Sequence, residues 1–300
     1  MQDNWDDVRL FLAVAREGGL SAAGKQLRLD PATLGRRMAR LETSLGTGLF
    51  VKSPQGYALT VAGAELLSRA EEAETAMRVA TSSLPVQSDS LTGQMRIGAP
   101  DGCANYILPQ VCAALAVEHP ELDIQIVALP RVFNLSRREA DLAIGVSAPT
   151  AGRLTVQKIT DYRLHLAASE AYLKGAGEIS EKGALRDHRI VGYIPDMIFD
   201  RELDYLTDIG AGRVPLASNS VSVQLHLLRR GGGVGVVHDF AMPFAPELRF
   251  VLQNEIALTR SFYMIRHEDD RQNAKLARFA QALSDGVRKE VFRLEAGILT

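Results

Sequence analysis

Arg36, Arg37 and Arg40 fall within five residues of a chain whose formal net charge is -2. Guanidinium groups this close either share a solvated helix face or grip anions, since their forked donors suit phosphate. From Lys25 to Lys52 the basic residues Lys25, Arg28, Arg36, Arg37, Arg40 and Lys52 face only Asp30 and Glu42, six charges against two. Any nucleic-acid site must therefore be local, because the whole chain is slightly acidic with pI near 6.3. Other chemistry is sparse. The six histidines (119, 165, 188, 226, 238, 267) have no metal-ligand spacing. Cys103 and Cys112 on one helix would stand roughly 13 Å apart, beyond the reach of a disulfide. They read as buried thiols of a cytosolic protein. GxGxxG, P-loop, HExxH and GxSxG patterns are missing, and no acid–base pair stands out. Catalytic residues, metal and cofactor are therefore not expected, and the chain reads as a non-enzyme.

The arginines need elements to hold them. Trp5, Val8, Phe11, Leu12 and Ala15 recur at helical spacing, and Gly18-Gly19 end that helix. Ser21 predicts the cap of a short helix to Leu27, with Leu20, Ala23 and Leu27 inward. Asp30 predicts the cap of a third helix, with Pro31 at its first position and Gly46 and Gly48 at its end. Leu34, Met38, Leu41 and Leu45 form its buried stripe. Thr33, Arg36, Arg37 and Arg40 are expected on the opposite face. Two short helices, a tight turn and a basic third helix make a helix-turn-helix, whose second member enters the DNA major groove. Residues 49–60, LFVKSPQGYALT, carry a Ser-Pro-Gln-Gly turn and read as a hairpin wing. Lys52, Ser53 and Gln55 near its tip are candidate phosphate contacts.

Thr60 predicts the cap of a further helix closed by Pro85. Leu66, Ala70, Ala73, Met77, Ala80 and Leu84 repeat at 4-3-4-3-4, the seam of a dimer coiled coil. The alternative is an amphipathic helix lying on its own domain. PVQSDSLTG then reads as a hinge. Three regions are expected: a winged helix-turn-helix over 1–60, a linker helix and hinge over 61–92, and an α/β domain over 93–300. In the last region strands are expected at 94–99, 123–129, 141–145, 162–168, 190–193, 213–217, 234–237 and 257–265. Helices are expected at 103–118, from about 130 to Glu139, and at 170–174, 198–206, 221–230 and 273–292.

Ligands of open α/β sheets bind beyond the carboxyl ends of strands. That rule selects Pro100, Asp101, Gly102 and Cys103; Gly145, Val146 and Ser147; Tyr193, Ile194 and Pro195; Ser218, Asn219 and Ser220; and His238. Asp101 puts a negative charge where small carboxylates often bind, so an amine- or hydroxyl-bearing ligand is expected over a simple anion. The glycines at 231–235 suit tight helix-to-strand packing better than a phosphate cradle. No apolar run reaches about 18 residues, and the acidic N-terminus is unlike a secretory signal.

Residues 8–67 resemble the N-terminal domain of LysR-type transcriptional regulators. The match runs ungapped through VRLFLAVAREGGLSAAGKQLRLDPATLGRRMARLETSLGTGLF, then Leu59-Thr60 and AGAELL at 62–67. By that resemblance Pro31, Ala32, Gly35 and Arg36 take DNA-facing positions, although the family usually has Ser at 35 and more arginine in the wing. YILPQV (106–111), EHPELDIQI (118–126), ADLAIG (140–145) and RRGGGVGVV (229–237) resemble its effector domain, a two-lobed relative of periplasmic binding proteins. The resemblance implies a cytoplasmic regulator of double-stranded promoter or operator DNA, answering to a small-molecule effector and working without a membrane. It also implies a homodimer assembling to a homotetramer, with RNA polymerase as a further partner. A cytosolic solute-binding sensor with the same cleft is the alternative.

Overall fold

The computed structural model describes residues 5–53, 56–82, 90–128, 140–149, 152–210 and 212–297. The chain divides into two units, Met1–Val86 and Gln87–Thr300.

The first unit runs α1 (Trp5–Glu17), α2 (Leu20–Leu27), α3 (Pro31–Leu45), β1 (Phe50–Ser53), β2 (Gly56–Leu59) and α4 (Val61–Ser82). Its core joins Leu10, Phe11 and Val14 of α1 to Ala23 of α2, to Leu34, Met38 and Leu41 of α3, and to Leu49. The expected stripe of α3 ends at Leu41; Leu45, the helix's last residue, is 40% exposed. Ser21 does not cap α2. The cap falls two residues earlier, on Gly19, with no side-chain bond, and Arg28 closes the helix in the left-handed region at φ 55°. Asp30 does cap α3, its carboxylate accepting from Ala32 N at 2.8 Å and Thr33 N at 3.2 Å. Thr60 caps α4 by accepting from Gly63 N at 2.9 Å, and donates to Gly48 O at 2.7 Å. A Cβ on Gly63 would sit 2.1 Å from the Leu49 carbonyl oxygen, so the helix reaches the wing this closely only through glycine.

The second unit holds β3 (Gly93–Ala99), α5 (Asp101–Tyr106), α6 (Leu108–Glu118), β4 (Leu122–Ala128), β5 (Leu142–Gly145), β6 (Leu154–Ser169) and α7 (Glu170–Ala176). Then come β7 (Ile190–Gly192), α8 (Tyr205–Ile209), β8 (Leu216–Ala217), α9 (Val221–Arg229), β9 (Val234–His238), β10 (Leu248–Val251), β11 (Ala257–His267) and α10 (Ala274–Ala296). One sheet runs β4-β3-β5-β11-β6-β9-β7-β8, with β10 also on β6. The long antiparallel strands β6 and β11 pair from Leu154↔His267 to His165↔Ala257. The parallel set β3, β4 and β5 joins through β11, and β9, β7 and β8 join through the far half of β6. This makes two α/β lobes linked by shared strands.

Several expectations change. Strand 162–168 is the end of a sixteen-residue strand. β10 was not expected. The helix at 103–118 breaks at Ile107 into α5 and α6, ahead of Pro109, which cannot continue a hydrogen-bonded helix. Residues 198–206 form a 3-10 turn (Arg201–Leu203) and the start of α8. The expected helix at 130–139 and the stop at Pro85 lie outside the described residues. The glycine-rich link is a packing device: a Cβ on Gly233, at φ 152°, would meet the Arg189 carbonyl at 1.9 Å.

Candidate functional site

In the first unit the exposed N-terminal turns of α3 present Pro31, Ala32 and Arg36 to solvent, with Thr33 and Gly35 half-buried beside them. Arg36 donates to Thr33 Oγ1 at 3.2 Å, on its own helix. Arg37 and Arg40 depart from the expected face and turn towards α1. Arg37 reaches Asp6 at 2.7 Å and also pairs with Asp7. Arg40 grips Asp7 through two donors, at 2.7 and 3.0 Å. Asp7 is 3% exposed. The Arg37 guanidinium, with Arg9, holds the Asp6 carboxyl below its usual range. The basic cluster is thus partly neutralised by two carboxylates that precede the 25–52 window. Glu42 ties α3 to the wing, accepting from Leu49 N at 2.7 Å and Phe50 N at 3.1 Å. Lys52 and Ser53 lie on β1, paired in backbone with Tyr57 and Gly56; Gln55 lies outside the described residues.

The predicted seam of α4 divides. Leu66 packs on the helix-turn-helix core, and Ala70 is 3% exposed. Arg16 of α1 straps Glu71 and Glu74 of α4 at 3.5 and 2.8 Å. Ala73 and Met77 are exposed. Ala80 is described in backbone alone, and Leu84 lies outside the described residues.

In the second unit, eight residues selected at strand ends converge. Pro100, Asp101, Gly102, Cys103, Val146, Tyr193, Asn219 and His238 line one cavity between the lobes, of about 20 Å³. That is room for about one water. The strand-end rule missed Tyr162, Phe199, Leu203, Val221 and Phe262, which complete the wall. Tyr162 and Phe262 sit inside long strands, beside the register shift at Phe262/Tyr263, and stack at 4.2 Å. Of the remaining selected residues, Ser220 supports the wall: its hydroxyl donates to Asp101 Oδ2 at 3.0 Å. Ser218 Oγ accepts from Ser220 N at 3.1 Å, and Ser147 binds Asp200. Gly145, Ile194 and Pro195 stand outside the lining.

Burial sets the chemistry of the cavity. His238 is held neutral, its pKa lowered to about 3 by burial. Burial raises the hydroxyl pKa values of Tyr162, Tyr193 and Tyr205. The Cys112 thiol is pushed up to about 11 and that of Cys103 higher still, so neither is a ready nucleophile. A wider groove of about 420 Å³, lined by Lys182, Arg186, His188 and Arg213, lies near Ile190 and Pro215. It sits at the amino-terminal ends of β7 and β8, away from the strand ends where such folds bind ligands. Among the described residues there is no metal-ligating cluster and no helix long and apolar enough to cross a membrane.

Known proteins share both units. Residues 5–64 match the bacterial regulatory helix-turn-helix protein, lysR family, and residues 88–288 match the LysR substrate binding domain. The Mau operon transcriptional activator of Paracoccus denitrificans is 28% identical over 239 residues, covering 79% of this chain and 80% of its own. The HTH-type transcriptional regulator PtxR of Pseudomonas aeruginosa is 26% identical over 242 residues, covering 79% and 77%. Among solved structures, a full-length OxyR variant from Pseudomonas aeruginosa has a TM-score of 0.71 at 17% identity, covering 95% and 97%. ArgP from Mycobacterium tuberculosis has a TM-score of 0.66 at 18% identity, covering 97% and 98%. With a winged helix-turn-helix in one unit and a two-lobed ligand-binding fold in the other, the chain belongs to the LysR family of transcriptional regulators.

Proposed function

We propose that the N-terminal turns of α3 read double-stranded operator DNA, with Arg36 as the central cation and Pro31, Ala32, Thr33 and Gly35 around it. One observation carries this reading: among the described residues Arg36 stays exposed and bonds to Thr33 of its own helix, whereas Arg37 and Arg40 are held by Asp6 and Asp7. Lys52, Ser53 and Gln55 of the wing add phosphate contacts that position the domain. A small-molecule effector between the lobes shifts the lobe arrangement, which requires that it bind one arrangement better than another. Ala73, Met77, Ala80 and Leu84 form the dimer seam, and pairing of effector domains extends the dimer to a tetramer. The protein acts in the cytoplasm by binding rather than by catalysis, with RNA polymerase as its downstream partner.

The test is a footprint on the DNA upstream of its own gene, at two salt concentrations, with Arg36→Ala alongside. Wild type is expected to protect a salt-sensitive region. Arg36→Ala is expected to lose that protection, with a salt slope shallower by about one if Arg36 meets a phosphate. Equal protection by the variant would remove Arg36 from the interface.

A further inference from the structure

Among the described residues, three of the four buried side-chain polar atoms without a protein hydrogen-bond partner gather at the interlobe cavity. They are the hydroxyls of Tyr162 and Tyr205 and Nδ1 of His238. Tyr162 and His238 line the cavity, and the Tyr205 ring lies 6.2 Å from that of His238. All three residues are at least nine-tenths buried. Such buried groups call for hydrogen-bond partners, which a guest in the cavity would supply.

The charge of that guest is constrained by the opposite wall. The N-terminus of α9 is an anion-binding position by its backbone donors and dipole. Here the chain's own carboxylate already occupies it. Asp101 Oδ2 accepts from Ser222 N and from Ser220 Oγ, both at 3.0 Å, and Oδ1 accepts from Asn105 Nδ2 at 3.1 Å. No lysine or arginine is among the described lining residues. Arg260, over the Tyr205 ring at 5.8 Å, is paired with Glu202 at 2.8 Å. A ligand carboxylate would meet Asp101 with no compensating cation among the described lining residues. An ammonium would find the Asp101 oxygens already accepting three bonds. Tyr162, Tyr193, Phe199 and Phe262 contribute ring surface to the remaining wall, beside aliphatic Val146, Leu203 and Val221, which suits a flat molecule. Any guest larger than one water must part these rings.

We propose that the cavity selects uncharged, flat, hydroxyl-bearing molecules, and that Asp101, seated on the α9 N-terminus, is the residue that excludes anionic ones. The inference rests on the reading of this cavity as the effector site. The probes are 4-hydroxybenzyl alcohol, 4-hydroxybenzoate and 4-hydroxybenzylamine, which share a ring and hydroxyl and differ in charge. Titration calorimetry on the full chain at millimolar probe should show the alcohol binding at least tenfold more tightly than either charged probe. Asp101→Ser should raise 4-hydroxybenzoate affinity at least tenfold, since a carboxylate can then take the vacated helix N-terminus. Tyr162→Phe, which keeps the ring, should weaken the alcohol about fivefold without lowering the melting temperature. The proposal is overturned if 4-hydroxybenzoate or the amine binds wild type as tightly as the alcohol, or if none of the three binds. It is also overturned if Tyr162→Phe leaves affinity unchanged. Failure of the ligand class leaves the wild-type footprint on DNA in place; failure of the regulator reading abolishes it.

Discussion

Asp7 is the residue on which the basic helix leans. It is buried, and it receives donors from both Arg37 and Arg40. Charge-assisted bonds of this kind contribute about 1.5–3 kcal/mol each when shielded. The side chains of Arg40 and Arg37 remain 58% and 27% exposed, so water takes over part of what Asp7 supplies. Asp7→Ala is accordingly expected to destabilise the first unit by about 2 kcal/mol. Trp5 is the chain's one tryptophan and opens α1, so its fluorescence during denaturant unfolding reports the loss directly. The same pairing separates the arginines in function. Arg36→Ala should weaken DNA binding more than Arg40→Ala, because Arg40 gives up its partner only if DNA replaces Asp7. Equal losses from the two variants, measured by binding at fixed salt, would mean that Arg40 leaves Asp7 in the complex.

At the scale of the element, Gly63 and Met77 make opposite demands on α4. Helix propensity alone favours alanine over glycine by about 1 kcal/mol. Gly63→Ala should nevertheless destabilise the first unit, by about 2 kcal/mol net, because its Cβ would press on the Leu49 backbone, which cannot swing aside. A variant at least as stable as wild type would show that α4 can lift from the wing at no cost. Met77 is 55% exposed, and Met77→Glu should lower the mass in sedimentation from that of a tetramer to that of a dimer held by its effector domains; unchanged mass would exclude this face as the seam. These elements also show what a sequence makes legible. Asp30, Pro31 and Gly46 announce α3 because caps are local chemistry, and Leu34, Met38 and Leu41 announce its face because burial repeats with the helix turn. The Asp7 pairing spans thirty residues or more, and nothing local to α3 encodes it. The heptad of α4 was readable, but periodicity does not say which partner each position meets, so Leu66 and Ala70 turned out to pack at home. In the second unit the strand-end rule located one wall of the cavity. Tyr162 and Phe262 escaped it because they lie mid-strand, where alternation reads as ordinary core, and only the crossing of β6 and β11 between lobes brings them to the cleft.

For the molecule as a whole, the interlobe cavity places an acid-sensitive group at the junction of the two lobes. His238 closes β9, is buried against Tyr162 and Phe240, and has its pKa lowered by burial to about 3. In the unfolded chain a histidine takes its proton near 6.5. Between those values the unfolded state binds the proton and the folded state does not, so stability present above pH 6.5 falls as the pH drops. The neighbouring Asp239 works with the opposite sign. Burial raises its carboxyl despite the bond from His165, so the stability it contributes is present at low pH and is lost as pH rises through its folded value. Total acid stability mixes the two, and a difference against His238→Phe isolates the imidazole. Each pH unit well below 6.5 costs wild type about 1.4 kcal/mol that the variant does not lose. From pH 7 to pH 5 the stability difference should therefore move about 2 kcal/mol in favour of His238→Phe, read from denaturant midpoints followed by the near-ultraviolet tyrosine signal. A difference independent of pH would mean that His238 accepts its proton within the fold, and that the wall it forms with Tyr162 opens to water before the lobes unfold.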